Sequence, residues 1–275
     1  MTLRAIEQFA PAKINLTLHV TGQRDDGYHL LDSLVMFADV GDRVTVAPAE
    51  HMSLQVTGPM AAGVPEDARN LCWRAAEAFG QPVAITLDKH LPAAAGIGGG
   101  SSDAAAVLRA MTTLFGAAPG LDPLRLGADV PVCMAARSAR MQGIGETVTP
   151  VDVPPLEALL VNPRVEVATP AVFKALARRD NPPMSEIPAS GRVGDVLTWL
   201  SDQRNDLEAP ASDLRPEIEQ VLRELSCLDG VRLVRMSGSG ATCFAVFDSR
   251  AQSEAMAQEL RRRFPNWWVK SATLG

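Results

Sequence analysis

Alternating apolar and polar residues predict several β-strands along this chain. From residue 12 to residue 20, Ile14, Leu16 and Leu18 share one face, and the polar residues between them share the other. This period of two is typical of a half-buried strand. Similar short runs predict strands at 43–46, 52–56, 83–89, 159–161, 231–236, 242–247 and 267–270, and residues 143–153 read as a turn that leads into a strand.

A helical spacing of apolar residues predicts the α-helices, most clearly after residue 103. There Ala104, Val107, Leu108 and Met111 recur as on the buried face of a helix. Further helices are predicted at 69–79, 170–178, 193–200, 212–225 and 252–263. Because the final part reads helix, strand, strand, helix, strand, an α+β protein is predicted. A Pro- and Ser-rich loop covers 181–190, and a domain boundary is expected near 150–160.

Composition and charge narrow the class of protein. The chain has 275 residues, 47% hydrophobic and 21% charged, as in a globular protein of one large domain or two moderate ones. Its net charge of −6 makes a nucleic-acid partner unexpected, because such proteins usually present a basic face. The four cysteines and four histidines form no disulfide or zinc pattern. The N-terminal stretch MTLRAIEQFAPAK lacks an apolar signal-peptide core, and no apolar run reaches membrane-spanning length. A cytoplasmic protein without membrane contact is expected, and no particular oligomeric state is indicated.

A glycine-rich segment with the sequence PAAAGIGGGSSD, from Pro92 to Asp103, precedes the clearest predicted helix. Its glycines let backbone N–H groups converge without Cβ atoms in the way, and a helix N-terminus adds partial positive charge. The hydroxyls of Ser101 and Ser102 can cap that helix. These features predict a loop that binds phosphate, most simply that of a nucleotide. Walker A, dinucleotide-binding and protein-kinase motifs are missing, so the loop alone names no activity, and a flexible surface turn stays the alternative.

Six motifs occur along the chain in an order that resembles the GHMP small-molecule kinases. They are APAKINL at 10–16, DDGYH at 25–29, the glycine-rich segment, LGADVP at 126–131, NDLE at 205–208 and MSGSGAT at 236–242. Any one of them is weak evidence, but their joint order is specific and runs over nearly the whole chain. Within this superfamily, the pattern is most similar to the kinases that phosphorylate 4-diphosphocytidyl-2-C-methyl-D-erythritol.

This resemblance implies a fold, a reaction and its substrates. The fold would be the two-domain GHMP-kinase fold, with a ribosomal-protein-S5-like N-terminal domain over residues 1–155 and a ferredoxin-like C-terminal domain over 156–275. The N-terminal domain would carry the ATP-binding loop. The reaction would move the γ-phosphoryl group of ATP to the 2-hydroxyl of a CDP-linked methylerythritol, in the non-mevalonate route to isoprenoid precursors. Mg²⁺ is expected with ATP because it neutralises charge between the β- and γ-phosphates, and no protein ligand for it is predicted.

By the same resemblance, two residues carry the chemistry. Asp129 would be the general base that accepts the proton of the substrate hydroxyl, and Lys13 would pair with it near the transferring phosphoryl group. The structural alternatives are a helix-cap or turn carboxylate for Asp129 and a solvated strand lysine for Lys13. ATP would be held by the loop residues Pro92, Ala93, Ala94, Ala95, Gly96, Ile97, Gly98, Gly99, Gly100, Ser101 and Ser102.

The resemblance also implies a set of substrate-binding residues outside the loop. Tyr28 would stack on the cytosine, His29 would read its polar edge, and Phe173 would cover its other face. Asn15 on the first strand and Thr169 at the start of a predicted helix would contact substrate as well. The alternatives are a packed aromatic in a turn for Tyr28, an exposed strand residue for Asn15 and a core side chain for Phe173.

Three alanines distinguish this loop from its relatives, because Ala93, Ala94 and Ala95 stand where the related loops commonly have glycine. A positive φ at any of them would be strained, and nucleotide affinity is the property that such strain would affect. Two other functions therefore stay open. One is a related enzyme that phosphorylates homoserine, mevalonate or a sugar, or that decarboxylates its substrate. The other is a protein that binds a nucleotide without catalysis.

Overall fold

The computed structural model of the chain describes residues 4–116, 120 and 122–275, so the first three residues of the N-terminal stretch lie outside it. Its strands are β1 Ile6–Asn15, β2 His19–Gln23, β3 His29–Pro48, β4 Ser53–Thr57, β5 Val83–Asp88, β6 Ala139–Gly143, β7 Thr147–Pro150, β8 Leu156–Asn162, β9 Leu233–Met236, β10 Cys243–Phe247 and β11 Trp268–Leu274. Its α-helices are α1 Leu71–Glu77, α2 Gly99–Phe115, α3 Val130–Ala135, α4 Thr169–Lys174, α5 Val193–Ser201, α6 Glu208–Leu214, α7 Pro216–Ser226 and α8 Arg250–Arg263, and a short 3-10 helix covers Pro123–Arg125. Within these described ranges, no helix is long and apolar enough to cross a membrane.

The chain forms two compact units, each built from several segments. Unit 1 comprises Met1–Lys13, Val40–Ala93 and Gly98–Ala136, and unit 2 comprises Ile14–Asp39, Ala94–Ile97 and Arg137–Gly275. The strands β1 and β3 and the glycine loop, Pro92–Ser102, each supply residues to both units. The sequence-based division into residues 1–155 and 156–275 stays a prediction.

Unit 1 places three helices beside a small sheet. In the sheet, β5 lies between β4, which is parallel to it, and the C-terminal half of β3, which is antiparallel. The helix α2 packs against α1 and α3, and the predicted apolar face of α2 is confirmed as buried. The loop before α2 is thereby attached to the most deeply packed helix of this unit.

Unit 2 contains a four-stranded antiparallel sheet in the order β11-β8-β10-β9. Along the chain its elements read strand, helices, strand, strand, helix, strand, which with this order is the ferredoxin-like arrangement. Apolar side chains of β8 and β10 and of α7 and α8 form one buried core. The predicted α+β class is therefore confirmed. The motif MSGSGAT supplies the turn between β9 and β10.

The prediction for the first strand is wrong in two respects. Instead of one half-buried strand over 12–20, β1 ends at Asn15, β2 begins at His19, and every residue from Ala10 to Val20 is buried. The polar face can be buried because its groups find partners, as a buried polar group requires. Thr17 Oγ1, for example, accepts a hydrogen bond of 2.8 Å from the Leu34 backbone.

Two other elements differ from the sequence prediction. The strand predicted at 43–46 is part of β3, which runs for 20 residues and includes the buried polar residues Asp32, Ser33 and Asp42. These polar positions interrupt the alternation of apolar residues, so the sequence pattern does not predict the rest of this strand. The single helix predicted at 212–225 is divided into α6 and α7, because Pro216 occupies the first turn of α7 and cannot continue a preceding helix.

Candidate active site

Lys13 and Asp129 form an ion pair within unit 1, with 2.6 Å between Lys13 Nζ and Asp129 Oδ1. The lysine side chain is only 5% exposed, whereas 31% of the aspartate side chain is exposed. Asp129 precedes α3 as its N-cap residue, but its side chain makes no capping hydrogen bond. The alternatives of a helix-cap carboxylate and a solvated lysine are therefore wrong, although Asp129 does lie in a turn before α3. The carboxylate is oriented by the lysine and remains reachable from solvent.

The ion pair lies against the start of α2. Gly98, the N-cap residue of α2, has a φ of 62°, which is the left-handed conformation that glycine favours. A Cβ atom at Gly98 would lie 3.1 Å from Lys13 Cβ and 3.6 Å from Asp129 Oδ2. Backbone N–H groups in a first helical turn have no partner within the helix and carry partial positive charge. An anion bound at the start of this 17-residue helix would therefore lie beside Lys13 and Asp129.

The predicted capping by serine is wrong. Because α2 begins at Gly99 with Gly98 as its N-cap, Ser101 and Ser102 lie inside its first turn. Ser102 is fully buried, and its Oγ has no hydrogen-bond partner among the described residues. The backbone of glycine, not a serine hydroxyl, thus sets where the helix begins.

The middle of the glycine loop, Ala94–Ile97, belongs to unit 2, where the turn between β9 and β10 holds it. The Thr242 backbone donates to Ala95 O at 3.1 Å, and Ser237 Oγ donates to Gly96 O at 2.9 Å. Gly96 has a φ of 72°, and a Cβ atom there would lie 2.7 Å from the Gly240 backbone nitrogen. Only glycine fits this position, because the two backbones approach so closely.

Asn15 lies in a buried polar network of unit 2 and is 3% exposed, so the alternative of an exposed strand residue is wrong. Its Nδ2 donates to Ser33 Oγ at 2.8 Å, and its backbone N–H donates to Ser237 Oγ at 3.0 Å. Within the described part of the chain, its Oδ1 is buried without a hydrogen-bond partner. Since a buried acceptor is normally paired, this oxygen is a candidate to receive a donor from a ligand.

The predicted substrate-binding aromatics are only partly brought together in unit 2. His29 stacks on Phe173 with ring centroids 4.7 Å apart, and Phe173 also packs against the unit 2 core. Burial, with a smaller effect from nearby Arg179, lowers the pKa of His29, so its imidazole is neutral at pH 7. Tyr28 is 61% exposed at the end of its turn. Thr169 Oγ1 lies 2.8 Å from Ser239 Oγ, in the turn that also holds the loop.

Comparison with known proteins places the chain in a family. Residues 70–156 match the family model of the GHMP kinases N terminal domain, and residues 185–266 match that of the GHMP kinases C terminal. The 4-diphosphocytidyl-2-C-methyl-D-erythritol kinase of Dinoroseobacter shibae is 55% identical over 274 residues, which cover 98% of this chain and 96% of that protein. The chain belongs to the 4-diphosphocytidyl-2-C-methyl-D-erythritol kinase family. The protein of that name from Cereibacter sphaeroides is 54% identical, covering 98% of this chain and 99% of its own length.

Solved structures agree with the membership of this kinase family. A crystal structure of a 4-(cytidine 5'-diphospho)-2C-methyl-D-erythritol kinase gives a TM-score of 0.80 at 36% identity, covering 98% of this chain and 99% of that one. Homoserine kinase from Cytophaga hutchinsonii gives a TM-score of 0.66 at 19% identity, covering 100% of this chain and 96% of that one, which shows a shared fold alone. The predicted GHMP-kinase fold and phosphotransferase class are confirmed.

Two further polar residues at this site were not among the predicted site residues. Ser237 lies within the MSGSGAT motif, so the sequence carried a signal for it, and its hydroxyl bonds both Gly96 and Asn15. Ser33 had no such signal, because it lies in the part of β3 that the apolar pattern missed. Its hydroxyl accepts a hydrogen bond from Asn15 Nδ2 and donates one to the Thr17 carbonyl oxygen. Both hydroxyls fix residues of the predicted site through backbone and amide groups.

Of the three alanines in the loop, only Ala94 has a positive φ, at 48°. An alanine in this conformation is strained by about 1 kcal/mol. We therefore expect Ala94→Gly to leave the free energy of unfolding unchanged or to raise it by up to ~1 kcal/mol, although glycine also loosens the unfolded chain. The matched control is Ala93→Gly, at an equally exposed neighbour without a positive φ, which should lose about 0.5–1 kcal/mol. Urea unfolding of both variants checks this, and a larger loss for Ala94→Gly than for Ala93→Gly would contradict it.

Proposed function

We propose that this protein transfers the γ-phosphoryl group of ATP to the 2-hydroxyl of 4-diphosphocytidyl-2-C-methyl-D-erythritol, in the cytoplasm, as a step of the non-mevalonate route to isoprenoid precursors. The family relatives that carry this name cover nearly the whole chain at 54–55% identity, which supports the choice of substrate. The observation that carries the proposed chemistry is the 2.6 Å contact of Lys13 with Asp129, against the start of α2.

The proposed mechanism is direct transfer between the two bound substrates. The substrate hydroxyl gives its proton to Asp129 as its oxygen attacks the γ-phosphorus, and ADP leaves with the electron pair of the broken P–O bond. Lys13 keeps the carboxylate oriented and offsets negative charge that develops on the transferring group. The glycine loop and the N–H groups at the start of α2 hold the phosphates. This sequence of events requires no covalent intermediate on the protein.

Magnesium is expected to enter with the nucleotide. Among the described residues, no group of three or more His, Cys, Asp or Glu side chains is placed to hold a metal ion. In nucleotide sites Mg²⁺ usually keeps several waters and is bound by substrate phosphates together with one or two carboxylates. The ion would supply charge neutralisation between the β- and γ-phosphates, and we assign it no protein ligand.

The CDP-linked substrate is proposed to bind through Asn15, Tyr28, His29, Thr169 and Phe173. The unpaired Oδ1 of Asn15 can accept a hydroxyl of the methylerythritol group. The neutral His29 imidazole can exchange hydrogen bonds with the polar edge of cytosine, while its ring is held by Phe173. Tyr28 offers an exposed face on which the base can stack.

A substrate panel tests the proposed function directly. The protein would be incubated with Mg·ATP and, separately, the CDP-linked methylerythritol, homoserine, mevalonate or a hexose. ADP release would be followed, and phosphorus NMR would locate the new phosphate. We expect ADP release only with the CDP-linked substrate and a new phosphate monoester on its 2-hydroxyl. Turnover of another alcohol instead would contradict the substrate, and ATP binding without turnover of any of them would favour the non-catalytic alternative.

Replacing Tyr28 with alanine should raise the KM for the CDP-linked substrate but not the KM for ATP. Base stacking on an aromatic side chain contributes about 1–3 kcal/mol, so the KM for the CDP-linked substrate should rise about five- to a hundredfold. The KM for ATP should stay within about twofold, because Tyr28 is assigned to the other substrate. Tyr28→Phe keeps the ring and is the matched control, with both KM values near those of the unmodified protein. An equal rise in both KM values for Tyr28→Ala would argue against the cytosine assignment.

A further inference from the structure

Three buried charged residues meet at the base of the glycine loop, all within unit 1. Lys89 Nζ lies 2.5 Å from Asp42 Oδ2 and 2.6 Å from Asp103 Oδ2. The exposed fractions of these side chains are 4% for Lys89, 0% for Asp42 and 3% for Asp103. Asp42 lies in the middle of β3, Lys89 directly follows β5, and Asp103 lies in the first turns of α2.

This cluster fastens both ends of the loop. Asp42 Oδ1 accepts hydrogen bonds from the backbone N–H groups of His90, at 2.5 Å, and Leu91, at 2.8 Å, which directly precede Pro92. Asp103 is the residue that directly follows Ser102. Lys89 joins the two carboxylates and also lies under the helix start, where a Cβ on Gly99 would be 3.4 Å from its Nζ.

Such a cluster of buried charges is not explained by its contribution to the stability of the fold alone. Desolvation of buried charges is costly, and a well-packed apolar replacement is often as stable. The loop itself contains four glycines, which leave its backbone with high conformational entropy unless something restricts it. A phosphate cradle needs its N–H groups fixed before the ligand arrives. A cluster that restricts the backbone at both ends of the loop would fix these N–H groups in advance.

We propose that Asp42, Lys89 and Asp103 form a positioning cluster that holds both ends of the glycine loop in its phosphate-binding shape and thereby sets the affinity for ATP. The inference rests on the proposed function only in taking the loop as the site of the ATP phosphates. It does not depend on which alcohol is phosphorylated.

The charge of the cluster depends on the Asp103 carboxyl. Burial raises the pKa of Asp103 to about 7, with Lys89 opposing the rise and Asp42 adding to it. Burial alone would lower the pKa of Lys89, but Asp103 and Asp42 raise it above its ordinary value, so the lysine stays charged. The cluster therefore carries one negative charge fewer when the Asp103 carboxyl is protonated than when it is ionised.

Other titratable groups lie around Asp103. Cys72 on α1 and Cys133 on α3 lie near it, and burial raises the pKa of both thiols, which stay neutral. The His90 ring nitrogen Nε2 lies 2.9 Å from an Asp88 carboxylate oxygen. The Lys13–Asp129 ion pair lies at the helix start.

The sign of the pH effect follows from these charges. Triphosphate binding is favoured when Asp103 is protonated and opposed when it is ionised, so ATP affinity should fall as the pH rises through the raised pKa of Asp103. Asp103→Asn keeps the shape of the side chain and cannot ionise. The variant should match the unmodified protein within about twofold at pH 6.0 and bind ATP about three- to tenfold more tightly at pH 8.5.

Calorimetric titration of the full chain with Mg·ATP, without a second substrate, measures this effect. Protonation of the nucleotide affects the variant and the unmodified protein equally. The ratio of their dissociation constants for ATP at each pH therefore reports the effect of the Asp103 carboxyl alone. A ratio that moves in the expected direction between pH 6.0 and pH 8.5 supports the inference. A ratio that is the same at all pH values overturns the role of the cluster charge.

Lys89→Met tests the positioning role. We expect the KM for ATP to rise at least about tenfold and the KM for the CDP-linked substrate to stay within about twofold. The matched control is Ser253→Ala, which removes one of two hydroxyls 2.6 Å apart between α8 and β11 in unit 2 and should lower the melting temperature with an unchanged KM for ATP. Should Lys89→Met not fold, Asp42→Ala provides the same comparison, because it removes the oxygen that accepts the backbone bonds of His90 and Leu91.

The outcomes separate this inference from the proposed function. An equal rise in both KM values for Lys89→Met, or an unchanged KM for ATP, overturns the positioning role even if the CDP-linked substrate is phosphorylated normally. If ATP binding follows the expected pH ratio but no CDP-linked product forms, the proposed substrate is wrong and the inference is supported.

Discussion

Asp129→Asn is expected to lose phosphoryl transfer by about 10²- to 10⁴-fold while the protein stays folded and binds ATP. The asparagine has the same shape and can still contact Lys13, but it cannot accept the proton of the attacking hydroxyl. The loss should therefore appear in kcat, with the dissociation constant of ATP changed by no more than about threefold. Steady-state kinetics and ATP titration of the same preparation measure both quantities.

A carboxylate that truly caps a helix provides the control for this variant. Asp122 is the N-cap of the 3-10 helix, and its side chain accepts a hydrogen bond from the Leu124 backbone. Asp122→Asn should leave kcat unchanged, since asparagine caps about as well as aspartate. Near-normal turnover by Asp129→Asn would show that the general-base assignment is wrong.

Lys13→Met should lower kcat by about 10²- to 10³-fold, the usual effect of removing one preorganised electrostatic contact to a transition state. Methionine fills similar space at this buried position, and Asp129 is partly exposed, so the melting temperature should change little. Arg43→Met is the matched control, because it breaks an exposed ion pair with Glu7 in the same unit. Its kcat should equal that of the unmodified protein.

The double variant Lys13→Met with Asp129→Asn tests whether the two residues act cooperatively in catalysis. Groups that work together in catalysis are strongly non-additive. We expect the double variant to be only slightly slower than Asp129→Asn alone. A double variant whose loss equals the product of the two single losses would mean that the residues act independently, which contradicts the proposed pairing.

The parts of this protein that could be predicted from sequence are those marked by a pattern of residues that are close together in the chain. The period of apolar residues located α2, and the glycines before it located the loop. The pairing of Lys13 with Asp129 had no local signal, since the two residues are far apart in the chain. It followed only from the resemblance of their motifs to a kinase family.

The parts that could not be predicted are buried polar residues whose partners are distant in sequence. Asp42 lies just before the strand predicted at 43–46 and was not part of it, yet it is fully buried against Lys89 and Asp103. Residues 12–20 alternate as a half-exposed strand does, although both faces are covered. Periodicity reports which side chains are polar, but it does not report whether hydrogen bonds elsewhere in the fold allow them to be buried.

The burial of the thiols beside the loop has a practical consequence. Cys72 and Cys133 are buried, as is Cys243, and burial raises the pKa of each, so these sulfurs resist alkylation in the folded state. Cys227, at the end of α7, is exposed. A maleimide dye should therefore attach at this one residue of the native protein, without any cysteine being engineered.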